Sequence, residues 1–279
     1  MSSENQCNLC SVSKYKIIFQ KDDIKIVKCS GCGLVYTIPM PEASRIKELF
    51  LEDYTRIKTE NNFSHSPLRD QIYSEALECL GNLMKPGRLL DIGCSYGQFM
   101  AAARDKGWKV TGVEPCVAAA RHAREHYKIE AINDIFTEEK FQPESFDAVT
   151  MWDTLIYMPD PSTNLLTIKN ILKKSGVLVI RVDDIEALYP RIEGMFRSIR
   201  KKWSHLEPGV NLYNFSRKTL KAMLEKCGFK VLRIANSEKL WWSVSVPGNP
   251  VKKTLLKAVR WTARNFNMGD AMIAYARKI

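Results

Sequence analysis

The segment Arg88-Leu89-Leu90-Asp91-Ile92-Gly93-Cys94-Ser95-Tyr96-Gly97-Gln98-Phe99 constrains the fold more than any other part of this chain. A short apolar run ends in an acid, and a turn punctuated by Gly93 and Gly97 follows it. A helical segment then leads to a second apolar run with an acid at its end, Trp108-Lys109-Val110-Thr111-Gly112-Val113-Glu114. Strand, glycine turn, helix and acid-terminated strand are half of a nucleotide-binding βαβ unit. Gly93 and Gly97 let main chain approach a ligand closely, and the helix opening at Gly97 offers amide donors to a carboxylate. Glu114 can accept both hydroxyls of a ribose, so an adenosyl ligand is expected. Dinucleotide binding is disfavoured, because Ser95 stands where that pattern needs glycine and Gln98 where it needs glycine or alanine.

After Pro86-Gly87 the alternation continues in the manner of a parallel sheet. Strands are expected at 88–92, 108–113, 129–132, 146–152, 176–182 and 229–235, with helices near 97–106, 115–127, 161–173 and 216–227. Ser216 is the expected N-cap of the last helix and Gly228 its stop. The apolar end of Gly269 to Lys278 predicts a final strand. Upstream, Glu42 to about Met84 reads as helical, with Ile46, Leu49 and Phe50 on one face and Ile72, Ala76, Leu77 and Leu80 on another. The polar stretch Thr55 to Pro67 between them reads as a loop.

Four of the eight cysteines fall as Cys7-x-x-Cys10 and Cys29-x-x-Cys32, with eighteen residues between the pairs. That spacing predicts a four-thiolate zinc site, two disulfides being the alternative. With every ligand position filled, the metal would be structural. Strands are expected around Lys14 to Phe19 and Lys25 to Lys28. Cys79, Cys94, Cys116 and Cys227 are isolated and read as small apolar residues. The expected division is therefore a ribbon over 1–38, a helical linker or lid over 39–85, and a core over 86–279 with insertions at about 184–214 and 237–268.

With 279 residues and 45% apolar content, the chain can bury a sizeable core. It has no apolar run of membrane-span length and no signal sequence ahead of Cys7, so a soluble cytoplasmic protein is expected. The net charge of +11 concentrates in Arg191 to Lys202 and Lys252 to Arg264. It calls for an anionic partner or for a solvated basic face. Val251, Leu255, Val259, Thr262 and Phe266 recur at helical spacing beside those basic residues. A basic amphipathic helix over 251–266 is expected, packed on the domain or touching a membrane or lipid carrier. Trp241 and Trp242 are paired aromatics of the kind that line glycan sites.

Asp91-x-Gly93-x-Ser95-x-Gly97 resembles the first motif of class I S-adenosylmethionine-dependent methyltransferases, with Ser95 in place of the middle glycine. Asn133-Asp134-Ile135-Phe136 is similar to the family's adenine-binding segment. Phe146 to Asp153 and Leu155 to Pro161 are similar to its fourth-strand region, with Ile156 and Tyr157 where many members carry Glu and His. The resemblance implies a Rossmann-like α/β core, a mostly parallel seven-stranded sheet with an antiparallel last strand, preceded by a small zinc ribbon. It implies S-adenosyl-L-methionine as cofactor, held by Asp91, Gly93, Cys94, Ser95, Gly97, Glu114, Pro115, Asp134, Ile135 and Trp152, with Tyr54 in a segment that closes over the site.

The whole layout resembles bacterial sugar C-methyltransferases and their relatives in glycan gene clusters. That likeness implies C- or O-methylation of a sugar or glycan-linked acceptor, nucleotide- or lipid-linked, with Arg191 to Lys202 near a phosphate. Deprotonating such an acceptor calls for a base, for which Tyr157, His205 and Asp153 are candidates, with Asp183, Asp184 and Glu207 also in the region. Asn211 stands where related glycan enzymes often begin a segment with His. Two other functions stay open: a ribosomal RNA methyltransferase that uses the ribbon on nucleic acid, and a cofactor-binding protein without catalysis.

Overall fold

In the computed structural model, residues 6–41, 48, 67–195, 206, 209–237 and 269–279 are described. Tyr54, His205, Glu207, Trp241, Trp242, the 251–266 segment and most of the 42–66 region lie outside them.

The N-terminal unit is a sheet of β1 (Tyr15–Lys21), β2 (Ile24–Cys29) and β3 (Val35–Ile38). Only the first two strands were expected. The helix α1 (Pro67–Leu83) follows and buries Ile72, Ala76, Leu77 and Leu80, the face that the periodicity marks. The core then alternates: β4 (Arg88–Ile92), α2 (Gln98–Asp105), β5 (Lys109–Val113), α3 (Val117–Tyr127), β6 (Glu130–Ile132), β7 (Phe146–Trp152) and α4 (Pro161–Ile171). It ends with β8 (Leu172–Asp183), α5 (Leu188–Met195), the two-residue β9 (Tyr213–Asn214), α6 (Arg217–Lys226), β10 (Phe229–Ser237) and β11 (Ala271–Lys278).

The core sheet has the order β10-β11-β8-β7-β4-β5-β6. Strands β4 to β8 pair in parallel, and β11 runs antiparallel to both neighbours. This is the Rossmann-like methyltransferase architecture that the motifs imply. The chain proceeds from β4 outward to β5 and β6, then returns to the other side of β4 for β7 and β8. The order thus reverses between β4 and β7, and ligands in such sheets bind outside the carboxyl ends at that reversal.

Local chemistry explains the helix ends. Asp160 caps α4 by accepting the Thr163 amide at 3.0 Å, with Pro161 at the first helical position. Ser216 and Thr219 form a capping box at α6, and Gly228 ends that helix with φ +80°. Strand β8 begins four residues earlier than its apolar run, because Leu172 continues the ladder opposite Phe146 through a register shift.

The ribbon does not have a core of its own. Cys7, Leu9, Val27, Leu34 and Tyr36 belong to the same buried cluster as Val149 and Met151 of β7, Ile168 of α4 and Leu220 of α6. On the opposite sheet face, α1 packs with Phe99, Trp108, Ala148, Val177 and Tyr275. Among the described residues no helix is long and apolar enough to cross a membrane.

Candidate active site

The turn between β4 and α2 is held in a shape that only its sequence permits. Gly93, Ser95 and Gly97 all have positive φ, at 74°, 50° and 88°. A Cβ on Gly93 would stand 2.3 Å from Thr154 Oγ1, and one on Gly97 would stand 2.9 Å from Ala123 Cβ. The Gly93 and Cys94 amides donate to the Val113 carbonyl at 2.8 and 3.1 Å, which ties the turn to the end of β5. Gly112 on β5 leaves the room that the buried Cys94 sulfur occupies, since a Cβ there would meet it at 2.5 Å.

Glu114 joins the two loops. It is 3% exposed. Its Oε2 accepts the Ser95 amide at 2.9 Å, and its Oε1 accepts the Cys116 amide at 2.8 Å. Asn133 donates to the Glu114 and Pro115 carbonyls at 2.9 and 3.0 Å, so the loop after β6 is fastened to the same place. Beyond it, Asp134 accepts the Ile135 amide and pairs with Lys140, leaving Ile135 53% exposed.

Asp91 lies fully buried at the end of β4, where Thr150 donates to it at 2.7 Å. Burial pushes its carboxyl up to about 7; the Thr150 hydrogen bond lowers it and the Glu114 carboxylate raises it further.

Beside β4, β7 ends in Trp152 and Asp153. The Trp152 ring packs on Tyr73 and Phe99, with centroids 4.8 and 4.7 Å away, and so faces the α1 side of the sheet. Asp153 has φ +57° and is ion-paired with Arg181. Tyr157 packs against the main buried cluster in a short 3₁₀ turn, Leu155–Tyr157. The structure thus brings Asp91, Gly93, Cys94, Ser95, Gly97, Glu114 and Pro115 together, with the Asp134 loop fastened beside them.

Arg181 and Tyr73 escaped the sequence argument. Arg181 is 2% exposed and also donates to Ser237 Oγ at 3.3 Å. A cation inside the apolar run Val177 to Val182 was the available signal, because a buried charge requires a partner. Burial pushes the Tyr73 hydroxyl well above the ordinary phenol range, with the charges of Arg69, Asp91, Asp153 and Arg181 around it.

A shallow recess opens at the carboxyl ends of β7 and β8, lined by Ile156, Asp183, Asp184, Ile185, Asn211 and Asn214 among others. Asp184 is committed to structure: its Oδ1 accepts the Glu186 amide at 2.9 Å, and its Oδ2 lies 3.3 Å from Arg217 Nε. Burial raises its carboxyl above the ordinary range despite the neighbouring Arg217.

In the ribbon, the sulfurs of Cys7, Cys10, Cys29 and Cys32 lie within 4.8 Å of one another, and none forms a disulfide. Four thiolates around a tetrahedral zinc, at metal–sulfur distances of about 2.3 Å, stand roughly 3.8 Å apart. The donor set and its spacing fit such an ion.

A Rossmann-like sheet with a glycine turn and a buried acid at its reversal point defines a protein that holds an adenosyl cofactor. The chain belongs to the methyltransferase-domain family, whose model matches residues 66–234. A ubiquinone biosynthesis O-methyltransferase of Xanthomonas euvesicatoria pv. vesicatoria is 29% identical over 124 residues, covering 41% of this chain and 48% of that protein. The Haemophilus ducreyi protein of the same name is 33% identical over 103 residues, covering 33% and 44%. The chain thus spans about half the length of the curated relatives it matches. Among solved structures, a SAM-dependent methyltransferase of Thermotoga maritima superposes with a TM-score of 0.53 at 24% identity, covering 84% of this chain and 99% of that one. One from Archaeoglobus fulgidus gives 0.52 at 17% identity, covering 75% and 94%. These two likenesses are of fold.

Proposed function

We propose that this protein transfers a methyl group from S-adenosyl-L-methionine to a hydroxyl-bearing small molecule, by C- or O-methylation, and that the acceptor is a sugar or glycan-linked intermediate. The observation that carries the first part is the Glu114 carboxylate, buried and tied to the loops after β4 and β5, beside a turn in which Gly93, Ser95 and Gly97 all have positive φ. Relatives named for ubiquinone biosynthesis support a small-molecule acceptor. The sugar assignment rests on the layout of ribbon and core.

When bound, the cofactor supplies a methyl group activated on a positively charged sulfur. Glu114 would hold the ribose hydroxyls, and the amides at the start of α2 would meet the carboxylate end. Ile135, an apolar side chain left exposed at a strand end, covers the adenine ring beside Asp134. Much of the rate then comes from holding the acceptor atom, oxygen or carbon, in line with the methyl carbon. The carboxylates proposed as candidates to take the acceptor's proton are Asp153, at the end of β7, and Asp183, the last residue of β8. The four cysteines hold one structural zinc, consistent with their donor set and spacing.

Calorimetry with S-adenosylmethionine tests the cofactor, and formation of S-adenosylhomocysteine with a panel of dTDP-, UDP- and GDP-sugars and simple dihydroxyphenols tests the acceptor. Binding that is lost in Glu114→Ala, followed by turnover of a sugar, is expected. Absence of binding refutes the enzyme, and turnover of phenols alone refutes the sugar.

A further inference from the structure

Helix α1 carries a cation to the ligand side of the core sheet. At its last residue, the Leu83 carbonyl accepts Arg277 Nη2 at 3.3 Å, and Arg277 pairs with Val177 in the first half of β8. Toward its start, the Tyr73 ring packs on Trp152, the last residue of β7, with centroids 4.8 Å apart. Followed backward from Leu83, α1 thus rises from the amino toward the carboxyl ends of the strands, the edge at which such sheets bind ligands. Arg69 stands one turn beyond Tyr73 on the same helix face, and helical side chains lean toward the N-terminus, which carries this one past the strand ends. Tyr73 also meets Phe99, the second residue of α2, edge-on at 5.2 Å, so this face of α1 stands beside the opening of α2.

Arg69 has no partner for its charge. Among the described residues it makes no hydrogen bond and no ion pair, and its Nε is buried unsatisfied. With Nε enclosed and the side chain as a whole half-buried, the terminal guanidinium nitrogens are the donors open to a ligand. The two acids that act with it on Tyr73 are engaged elsewhere: Asp153 pairs with Arg181, and Asp91 accepts from Thr150 and is pushed by burial toward its neutral form. A cation withdrawn from water without an anion is costly, and a carboxylate placed against it offsets that cost with charge-assisted hydrogen bonds.

We propose that Arg69 binds the carboxylate at the amino-acid end of S-adenosylmethionine. The statement rests on the cofactor reading argued above and adds to it a residue outside the glycine turn. The cofactor is then gripped at two ends, its ribose by Glu114 from β5 and its carboxylate by Arg69 from α1. The amides that open α2 bring only partial charge to that carboxylate, and Arg69 brings a full one. A phosphate on the acceptor is the other anion such a cation suits, and the experiment separates the two.

Calorimetry compares wild type, Arg69→Met and Arg69→Lys with S-adenosylmethionine and with its decarboxylated form, which keeps the adenosyl group, the sulfonium and the ammonium. Arg69→Met is expected to weaken S-adenosylmethionine about thirtyfold, as for hydrogen bonds to a charged group, and to change the decarboxylated form by less than about twofold. Arg69→Lys, which keeps the charge and loses the planar fork, should recover part of the loss. Should Arg69→Met not fold, Arg69→Lys carries the same comparison, with a smaller loss confined to the ligand that has the carboxylate. Equal weakening of both ligands overturns the proposal, because the effect then lies in the fold or at the adenosyl end. A rise confined to the acceptor KM overturns it too, and places an acceptor phosphate on Arg69 instead. If wild type binds neither ligand, the cofactor reading itself fails; if wild type and Arg69→Met bind S-adenosylmethionine equally well, only the assignment of Arg69 fails.

Discussion

Replacing Gly93 by alanine tests the link between the turn after β4 and the loop that follows β7. Gly93 has φ +74°, and its added Cβ would meet Thr154 Oγ1 at 2.3 Å and Thr154 Cγ2 at 2.8 Å. The left-handed backbone costs a non-glycine residue about 1–2 kcal/mol, and forcing a methyl into a filled site costs about 1–3 kcal/mol more. Thr154→Ala removes both offending atoms and leaves the nearest contact at 3.1 Å, to the residue's Cβ. By itself that change loses the hydroxyl bond to the Trp152 carbonyl, at 3.1 Å, a net effect of about 1 kcal/mol. The double variant should therefore carry the backbone cost without the clash. A double-mutant cycle in urea is expected to give about 1–3 kcal/mol of favourable coupling. Affinity for S-adenosylmethionine, read by calorimetry, should fall at least tenfold in Gly93→Ala and recover in part in the double variant. Additivity within about 0.5 kcal/mol would falsify the claim that Thr154 closes the turn.

On the proposed zinc assignment, a chelator should loosen residues 35–38 and 211–215 together and leave 88–92 protected. Losing the Thr37 bonds to the Leu212 and Asn211 carbonyls, with the β3–β9 ladder, amounts to about 3 kcal/mol, or roughly a hundredfold faster amide exchange. Unchanged exchange at 211–215 would show that the ribbon does not hold the recess. Because Asp91 titrates at about 7 in the fold against an ordinary 3.8, folding favours its neutral form. Its contribution is full below about pH 4 and is lost as pH rises through 7. Asp91→Asn should thus raise the melting temperature of the cofactor-free protein most near pH 7.5, with the gain shrinking toward pH 4; a gain independent of pH counts against that origin. Asp153→Ala leaves the buried Arg181 without its carboxylate and should cost about 1–3 kcal/mol, reduced from a fully buried pair because Asp153 is 36% exposed. Arg181→Met in the same background should restore part of that loss, and failure to restore any would place the effect elsewhere.

The glycine turn and the acid that ends the next strand were legible because their constraints are local. Gly93, Gly97 and Glu114 sit at the ends of consecutive elements, and a turn that needs positive φ admits few residues. The four cysteines were legible for a similar reason, since two C-x-x-C turns can bring their sulfurs to one point. Trp152 was assigned to the cofactor from its neighbours in sequence. In the fold, strand alternation turns its ring to the α1 side, against Tyr73 and Phe99.

By itself, then, the sequence determined the alternating parallel core, the acid-flanked glycine turn and the clustering of the thiols, all of which follow from spacing within a few tens of residues. Only the tertiary structure decided where the ribbon goes. The pairing of β3 with β9 joins Val35 to Asn214 across nearly the whole core, through a two-residue strand that carries no periodic signal. The buried clusters shared by ribbon and core are likewise contacts between distant segments. Such contacts depend on how the layers close over one another, which no local pattern of residues encodes.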